Sequence, residues 1–212
     1  MSSGADGGGR RNGQRGVSMA IVTDNEDPAE LGRVKVTYPW RSTSDESYWA
    51  RIAAPMAGPD RGAYFLPEEG DEVLVGFEDG DFEHPYVLGG LWNGKDRPPE
   101  TNDDGSNDVR TVRSRAGHEV TFDDGDDGGS VTVATAEGTR IVLDDADSAA
   151  VTITDDAGTT RLTFEPDSGD VTLSAGGTVR IEATNLELSG SGNVSIEASG
   201  VLSLDGGLIT LN

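Results

Sequence analysis

The second half of the chain is written in a short alternating code. Val120/Phe122, Val131/Val133, Ile141/Leu143, Val151/Ile153, Leu162/Phe164, Val171/Leu173, Val179/Ile181, Leu186/Leu188, Val194/Ile196, Leu202/Leu204 and Ile209/Leu211 form eleven apolar-x-apolar pairs. Alternate side chains of a strand share a face, so each pair presents two apolar residues on one side. Asp, Gly, Ser, Asn and Thr fill the intervals, which is turn chemistry. The first pairs follow one another at ten or eleven residues and the last at seven or eight. Nothing in this half carries a helical period. Short strands at so regular a spacing predict an elongated β-solenoid or β-prism instead of a globule. The period leaves two ways to close a core. Three successive segments of one chain supply three faces, or three chains supply one face each. In the second case little of the apolar surface is covered in a lone chain.

Upstream the pattern changes. Val17/Met19/Ile21 alternate, then Val34/Val36/Tyr38, then Trp49/Arg51 with Ala50/Ile52 on the other face, then Val73/Val75/Phe77 and Tyr86/Leu88. Gly70-Asp71 and Gly80-Asp81 read as turns. Five or six strands in under 80 residues suggest a small β-barrel, and an OB-fold is the simplest one. Trp40, Trp49 and Trp92 all fall here and are expected in the core or between subunits. Residues 1–15, with Arg10, Arg11 and Arg15, read as a flexible tail. Residues 95–109, with Pro98 and Pro99, read as a linker. The expected organisation is therefore a tail (1–15), a barrel (16–94), a linker (95–109) and a β-helical spike (110–212).

Composition adds habitat more than chemistry. The net charge is −23, from 39 acidic against 16 basic residues, and only Lys35 and Lys95 are lysines. Such a surface repels nucleic acid and anionic lipid. Its Asp-rich, Lys-poor balance resembles that of halophilic proteins, whose carboxylates are screened by concentrated salt. There is no Cys, so thiolate and disulfide chemistry is excluded. No segment has the apolar length of a membrane-spanning helix, and no signal-peptide core is expected at the N-terminus.

Four ordered segments of the first domain resemble a known group. They are Gly32-Arg33-Val34-Lys35-Val36-Thr37-Tyr38-Pro39-Trp40, Trp49-Ala50-Arg51-Ile52-Ala53-Ala54-Pro55-Met56-Ala57-Gly58, the stretch from Phe65 to Asp81, and Pro85-Tyr86-Val87-Leu88-Gly89-Gly90-Leu91-Trp92-Asn93. Together they resemble the OB domain of contractile-tail spike proteins, the family of VgrG and of phage baseplate assembly protein V. Ser114-Arg115-Ala116-Gly117-His118-Glu119-Val120-Thr121-Phe122-Asp123-Asp124 is similar to the start of the VgrG-type β-helix. The resemblance implies an all-β homotrimer with an OB-fold collar followed by a trimeric β-helix or β-prism needle. It implies a central spike that transmits sheath contraction to puncture a target envelope, in a virion or injection-system baseplate assembled in the cytoplasm. It also implies a hub or tube protein at the N-terminal end, a PAAR-like tip protein at the C-terminal end, and only transient contact with the target membrane. The short start is similar to the baseplate-V type, with hub domains on a separate protein. A His-x-His tip metal site is not expected, because His84 and His118 are the only histidines.

No Ser/His/Asp spacing or phosphate-binding Gly loop stands out. Asp123-Asp124-Gly125-Asp126-Asp127-Gly128 lacks the downstream Glu of a calcium loop and reads as a turn. His84 reads as a surface turn residue, and His118 as a packing or hydrogen-bonding residue. The expectation is no catalytic residue, no cofactor, no metal and no nucleic-acid partner. The residues expected to matter are structural and lie at the subunit interface: Val120, Phe122, Ile141, Leu143, Leu162, Phe164, Leu186, Leu188, Ile209 and Leu211. The alternative is a surface β-solenoid that binds or cleaves glycans. Against it, Phe122 and Phe164 are the only aromatics after residue 110, and both fall at inward positions.

Overall fold

A computed structural model describes residues 16–41, 46–126, 128–146 and 150–210. These residues contain strands and turns and no helix. They form two compact units that divide between Asp103 and Asp104.

The first unit is built on β1 (Val17–Asp24), β2 (Lys35–Thr37), β3 (Arg51–Ile52), β6 (Glu72–Glu78) and β7 (Asp81–Gly90), in sheet order β2-β1-β6-β7-β3. Antiparallel bridges Val34↔Ala50 and Thr37↔Glu46 tie the β2 segment back to the β3 segment and close the barrel. The β3–β7 pairing is parallel and the other ladder pairings are antiparallel. A closed five-stranded barrel with one parallel closure is OB topology. Its core is Ala20, Val22, Val34, Val36, Tyr38, Ala50, Val73, Val75 and Val87, with Ile52, Leu66, Phe77 and Phe82 packed around it. These are mostly β-branched residues, which suit a pleated, enclosed surface. Tyr38 has its ring in this core and donates a 2.6 Å hydrogen bond to the Phe82 carbonyl. Burial pushes its phenol up to about 12.

Two strands present the opposite face from the one their sequence suggests. In β1 the core residues are Ala20 and Val22, while Val17 and Met19 face outward. In β7 Val87 is buried and Leu88 is exposed. Both faces of these strands carry apolar residues, so alternation alone does not fix the phase. Pairing does: Val87 lies opposite Val75 on one side and Ile52 on the other. The tryptophans are not in the core. Trp40 and Trp92 are exposed and Trp49 is half-buried. A barrel this narrow is filled by Val and Ala and has no room for an indole.

The second unit is an antiparallel meander of seven strands: β8 (Val109–Arg113), β9 (Glu119–Asp123), β10 (Ser130–Ala134), β11 (Arg140–Asp144), β12 (Ala150–Thr154), β13 (Thr160–Glu165) and β14 (Asp170–Ala175). The first six apolar pairs fall in β9 to β14. β8 is an additional strand that the pairs do not mark. From residue 176 to 210 no strand forms, so the pairs from Val179/Ile181 to Leu202/Leu204 are not strands in this chain. The loss of strands coincides with the change of period, from a spacing of nine to eleven residues in β9 to β14 to one of seven or eight beyond them. Such segments find no ladder partner within the chain.

Candidate assembly surfaces

The meander register aligns the apolar pairs into two rows. Val112, Val120, Val133, Ile141, Ile153, Leu162 and Leu173 lie opposite one another from strand to strand. Phe122, Val131, Leu143, Val151, Phe164 and Val171 form the second row, and Arg110 of β8 lies opposite Phe122 at its end. Residues directly opposite in an antiparallel ladder point to the same side, so one face carries thirteen apolar side chains in adjoining rows.

That face is open. Phe122 is 46 % exposed, Leu143 45 % and Phe164 40 %, and Val112, Val133, Ile141, Ile153, Val171 and Leu173 are also exposed. Val120 and Leu162 are half-buried by their neighbours. A soluble monomer rarely leaves so extended an apolar surface uncovered. Of the interface residues expected from sequence, Val120, Phe122, Ile141, Leu143, Leu162 and Phe164 are brought together here. Leu186, Leu188 and Ile209 are exposed in the segment without strands, and Leu211 lies outside the described residues. Sequence reasoning missed Val112, whose signal was the alternation Arg110-Thr111-Val112 just ahead of the first pair.

The opposite face is polar. Its central row is Thr111, Thr121, Thr132, Val142, Thr152, Thr163 and Thr172. Thr111 and Thr121 hydroxyls lie 3.0 Å apart. Thr is β-branched and polar, which suits a strand facing water. No aromatic residue lies on this face to stack against a sugar.

The hairpin tips along one edge are stacked. The Ser114–His118, Thr135–Thr139 and Asp155–Thr160 turns each close by a backbone hydrogen bond and place Gly117, Gly138 and Gly158 at positive φ. His118 Nδ1 accepts a 3.2 Å hydrogen bond from the Ala136 amide of the next tip. This is a structural role. His84 is not in a turn: it lies on β7, exposed, stacked on Tyr48 with its Nδ1 3.2 Å from Asp81 Oδ2. In the Asp123–Gly128 loop, Asp123 Oδ1 accepts from the Gly125 amide, which is turn geometry. Asp127 lies outside the described residues. Among the described residues no three acidic or His side chains converge as a metal site, and no helix is long and apolar enough to cross a membrane.

The barrel carries its own surface features. Asp27 is clamped by Arg33 through two contacts, Oδ1 to Nη2 at 2.7 Å and Oδ2 to Nε at 2.8 Å. It also accepts from the amides of Ala29 and Leu31. The Arg33 hydrogen bond, with these amides, holds its carboxyl well below the usual carboxylate range. Lys35 and Arg33 stand over the Trp49 ring at 5.1 and 5.9 Å. The β4 (Ala57–Gly58) and β5 (Arg61–Gly62) hairpin walls a groove of about 900 Å³ lined by Leu31, Ile52, Met56, Tyr64 and Phe65.

The described residues form a closed OB barrel and a separate β-meander with one open apolar face. Comparison with known proteins then shows what the barrel is similar to. Residues 18–92 match the type VI secretion system/phage-baseplate injector OB domain. The type VI secretion system spike protein VgrG2a of Pseudomonas aeruginosa is 40 % identical over 74 residues, which is 33 % of this chain and 9 % of that protein. Spike protein VgrG3 of Vibrio cholerae is 38 % identical over 73 residues, covering 32 % and 7 %. A third relative, the actin cross-linking toxin VgrG1 of Vibrio cholerae, is 36 % identical over 76 residues, covering 34 % and 7 %. Through its OB domain this chain is similar to the VgrG and baseplate-V-like spike proteins. It spans less than a tenth of the length of these relatives.

Proposed function

We propose that this chain is a non-enzymatic central spike of a contractile injection system or tailed-virus baseplate. It acts as a homotrimer that carries sheath force through a target envelope. One observation carries the reading: an injector OB domain shares its chain with a β-meander whose two apolar rows lie open. Three copies with these faces turned inward make a closed prism, the arrangement expected from the family resemblance. Each large apolar side chain so covered contributes about 1.5–3 kcal/mol. The segments from residue 176 onward, which form no ladder within one chain, gain ladder partners from the neighbouring copies. Backbone pairing and core contacts must then fail together under axial load. The OB domains serve as the collar that meets a hub or tube protein. A PAAR-like protein covers the far end, near Ile209 and Leu211. The protein works as part of its particle, touching the target membrane only in passage.

Replacing Leu186 and Leu188 with Asp tests this. In about 3 M salt, light scattering is expected to give three times the chain mass for the wild type and the single-chain mass for the variant. Tyr and Trp fluorescence should report an unchanged barrel in both. A trimer that survives both substitutions overturns the prism. A stable wild-type monomer overturns the spike and advances the glycan-binding solenoid, which a glycan array then tests.

A further inference from the structure

The polar face of the meander is flanked by two edges of different character. Strands β11 and β13 share one design. Arg140-Ile141-Val142-Leu143-Asp144 and Arg161-Leu162-Thr163-Phe164-Glu165 each place Arg at one end and a carboxylate at the other, both on the polar face. The ends lie about 13 Å apart, too far to pair within a strand. Their cross-strand neighbours offer no partner either. Arg140 lies opposite Ala134 and Thr154, and Arg161 opposite Thr154 and Ser174. Asp144 lies opposite Ser130 and Ala150, and Glu165 opposite another acid, Asp170. Among the described residues neither arginine makes an ion pair. By contrast Arg113, on the same edge, is satisfied at home by Glu119 at 2.7 Å.

The two edges differ in net charge. Arg113, Arg115, Arg140 and Arg161 belong to the edge of the stacked tips, where they balance Glu119, Glu137, Asp155 and Asp156. The other edge carries Asp108, Asp123, Asp124, Asp126, Asp144, Asp145, Glu165, Asp167 and Asp170 against Arg110 alone. A sheet with one Arg-bearing and one acidic edge is complementary to a copy of itself placed side by side. It suits a head-to-tail contact, the kind that closes into a ring.

We infer that Arg140 and Arg161 at one edge of the meander engage Asp144 and Glu165 at the opposite edge of the next copy of this chain. The inference rests on the trimeric prism proposed above. A three-fold rotation about an axis crossing the strands keeps every strand at its own height. It therefore brings the Arg end of β11 to the acidic end of the neighbouring β11, and likewise for β13. Guanidinium forks reach across such a corner and bind carboxylates in a fixed geometry. The apolar rows make copies associate. The edge pairs select which edges meet and fix the axial register, since a shift by one strand would set Arg140 beside Ala150 or Ser130 of the neighbour.

Two single-edge reversals and their combination test this, read as trimer dissociation midpoints by light scattering at about 0.5 M salt. R140D/R161E places a carboxylate at both ends of β11 and β13, and D144R/E165R places a guanidinium at both ends. Each is expected to weaken the trimer roughly tenfold or more, because exposed pairs are individually small and several are lost per trimer. The two variants move net charge in opposite directions, so a general charge effect would weaken one and strengthen the other. The four-fold swap R140D/D144R/R161E/E165R restores complementarity and is expected to return the midpoint to near wild type, which also shows that the variants fold. The differences should shrink at about 3 M salt as screening shortens. A trimeric wild type whose D144R/E165R variant associates equally well or better overturns the edge pairing and leaves the prism standing. A monomeric wild type overturns both.

Discussion

At Asp27 one carboxylate closes a loop from both sides, accepting two backbone amides and gripping Arg33 in a fork. Its side chain is 3 % exposed, so an uncharged replacement leaves the guanidinium without its acceptor. Asp27→Asn should therefore lower the melting temperature of the barrel at neutral pH. The sign of the pH dependence follows from the shift. The folded carboxyl titrates below the ordinary value of about 4, so the unfolded chain binds more protons in that window. The stabilisation is complete above the unfolded value and is lost as pH falls through the folded one. The gap between wild type and variant should stay constant from about pH 5 to 8 and close below about pH 4. A gap unchanged in acid would show that the carboxylate is not what holds the loop. Sequence reading marked Arg33 only as part of a family segment. A partner six residues on from Asp27 is visible only once the loop is curved.

In the meander the sequence was legible for the first six pairs, which became β9 to β14, and not for the closely spaced ones that follow, where no strand forms from residue 176 to 210. The barrel was legible as a set of strands but not in phase: Ala20 and Val22, not Val17 and Met19, meet the core, since apolar residues occupy both faces and pairing decides. The stacking of the hairpin tips was not legible at all. Gly138 sits at φ 84°, and a Cβ there would stand 2.5 Å from Asp156 Oδ1 and 2.7 Å from its Cβ. Both the left-handed backbone and the neighbouring tip oppose a side chain. Gly138→Ala should cost about 1–3 kcal/mol in chaotrope unfolding of the meander unit. Gly177→Ala, with nothing within 4 Å of the added carbon, should stay within about 0.5 kcal/mol of wild type. Equal effects at the two sites would mean that the tips do not pack as a stack.

At the scale of the whole chain, two forces of opposite sign meet. In the proposed trimer the open apolar rows draw copies together, and a formal charge of −23 on each copy opposes them. Apolar burial strengthens little between dilute and moderate salt, whereas repulsion between exposed carboxylates depends on the screening length, about 10 Å at 0.1 M and 3 Å at 1 M. Assembly should therefore be gated by salt. In about 3 M salt the native mass is expected to be three times that of the chain, and dialysis to about 0.1 M should split the trimer. Amide exchange supplies the second readout. Residues 176–210 form no ladder within the chain, so their amides should be protected only while the trimer persists, whereas the barrel core around Val34, Val36 and Val75 should stay protected longer. A trimer indifferent to salt would show that the acidic surface lies too far from the contacts to oppose them. Protection of residues 176–210 in a demonstrated monomer would show that this segment folds on its own chain, and the case for three copies would then rest on the open meander face alone.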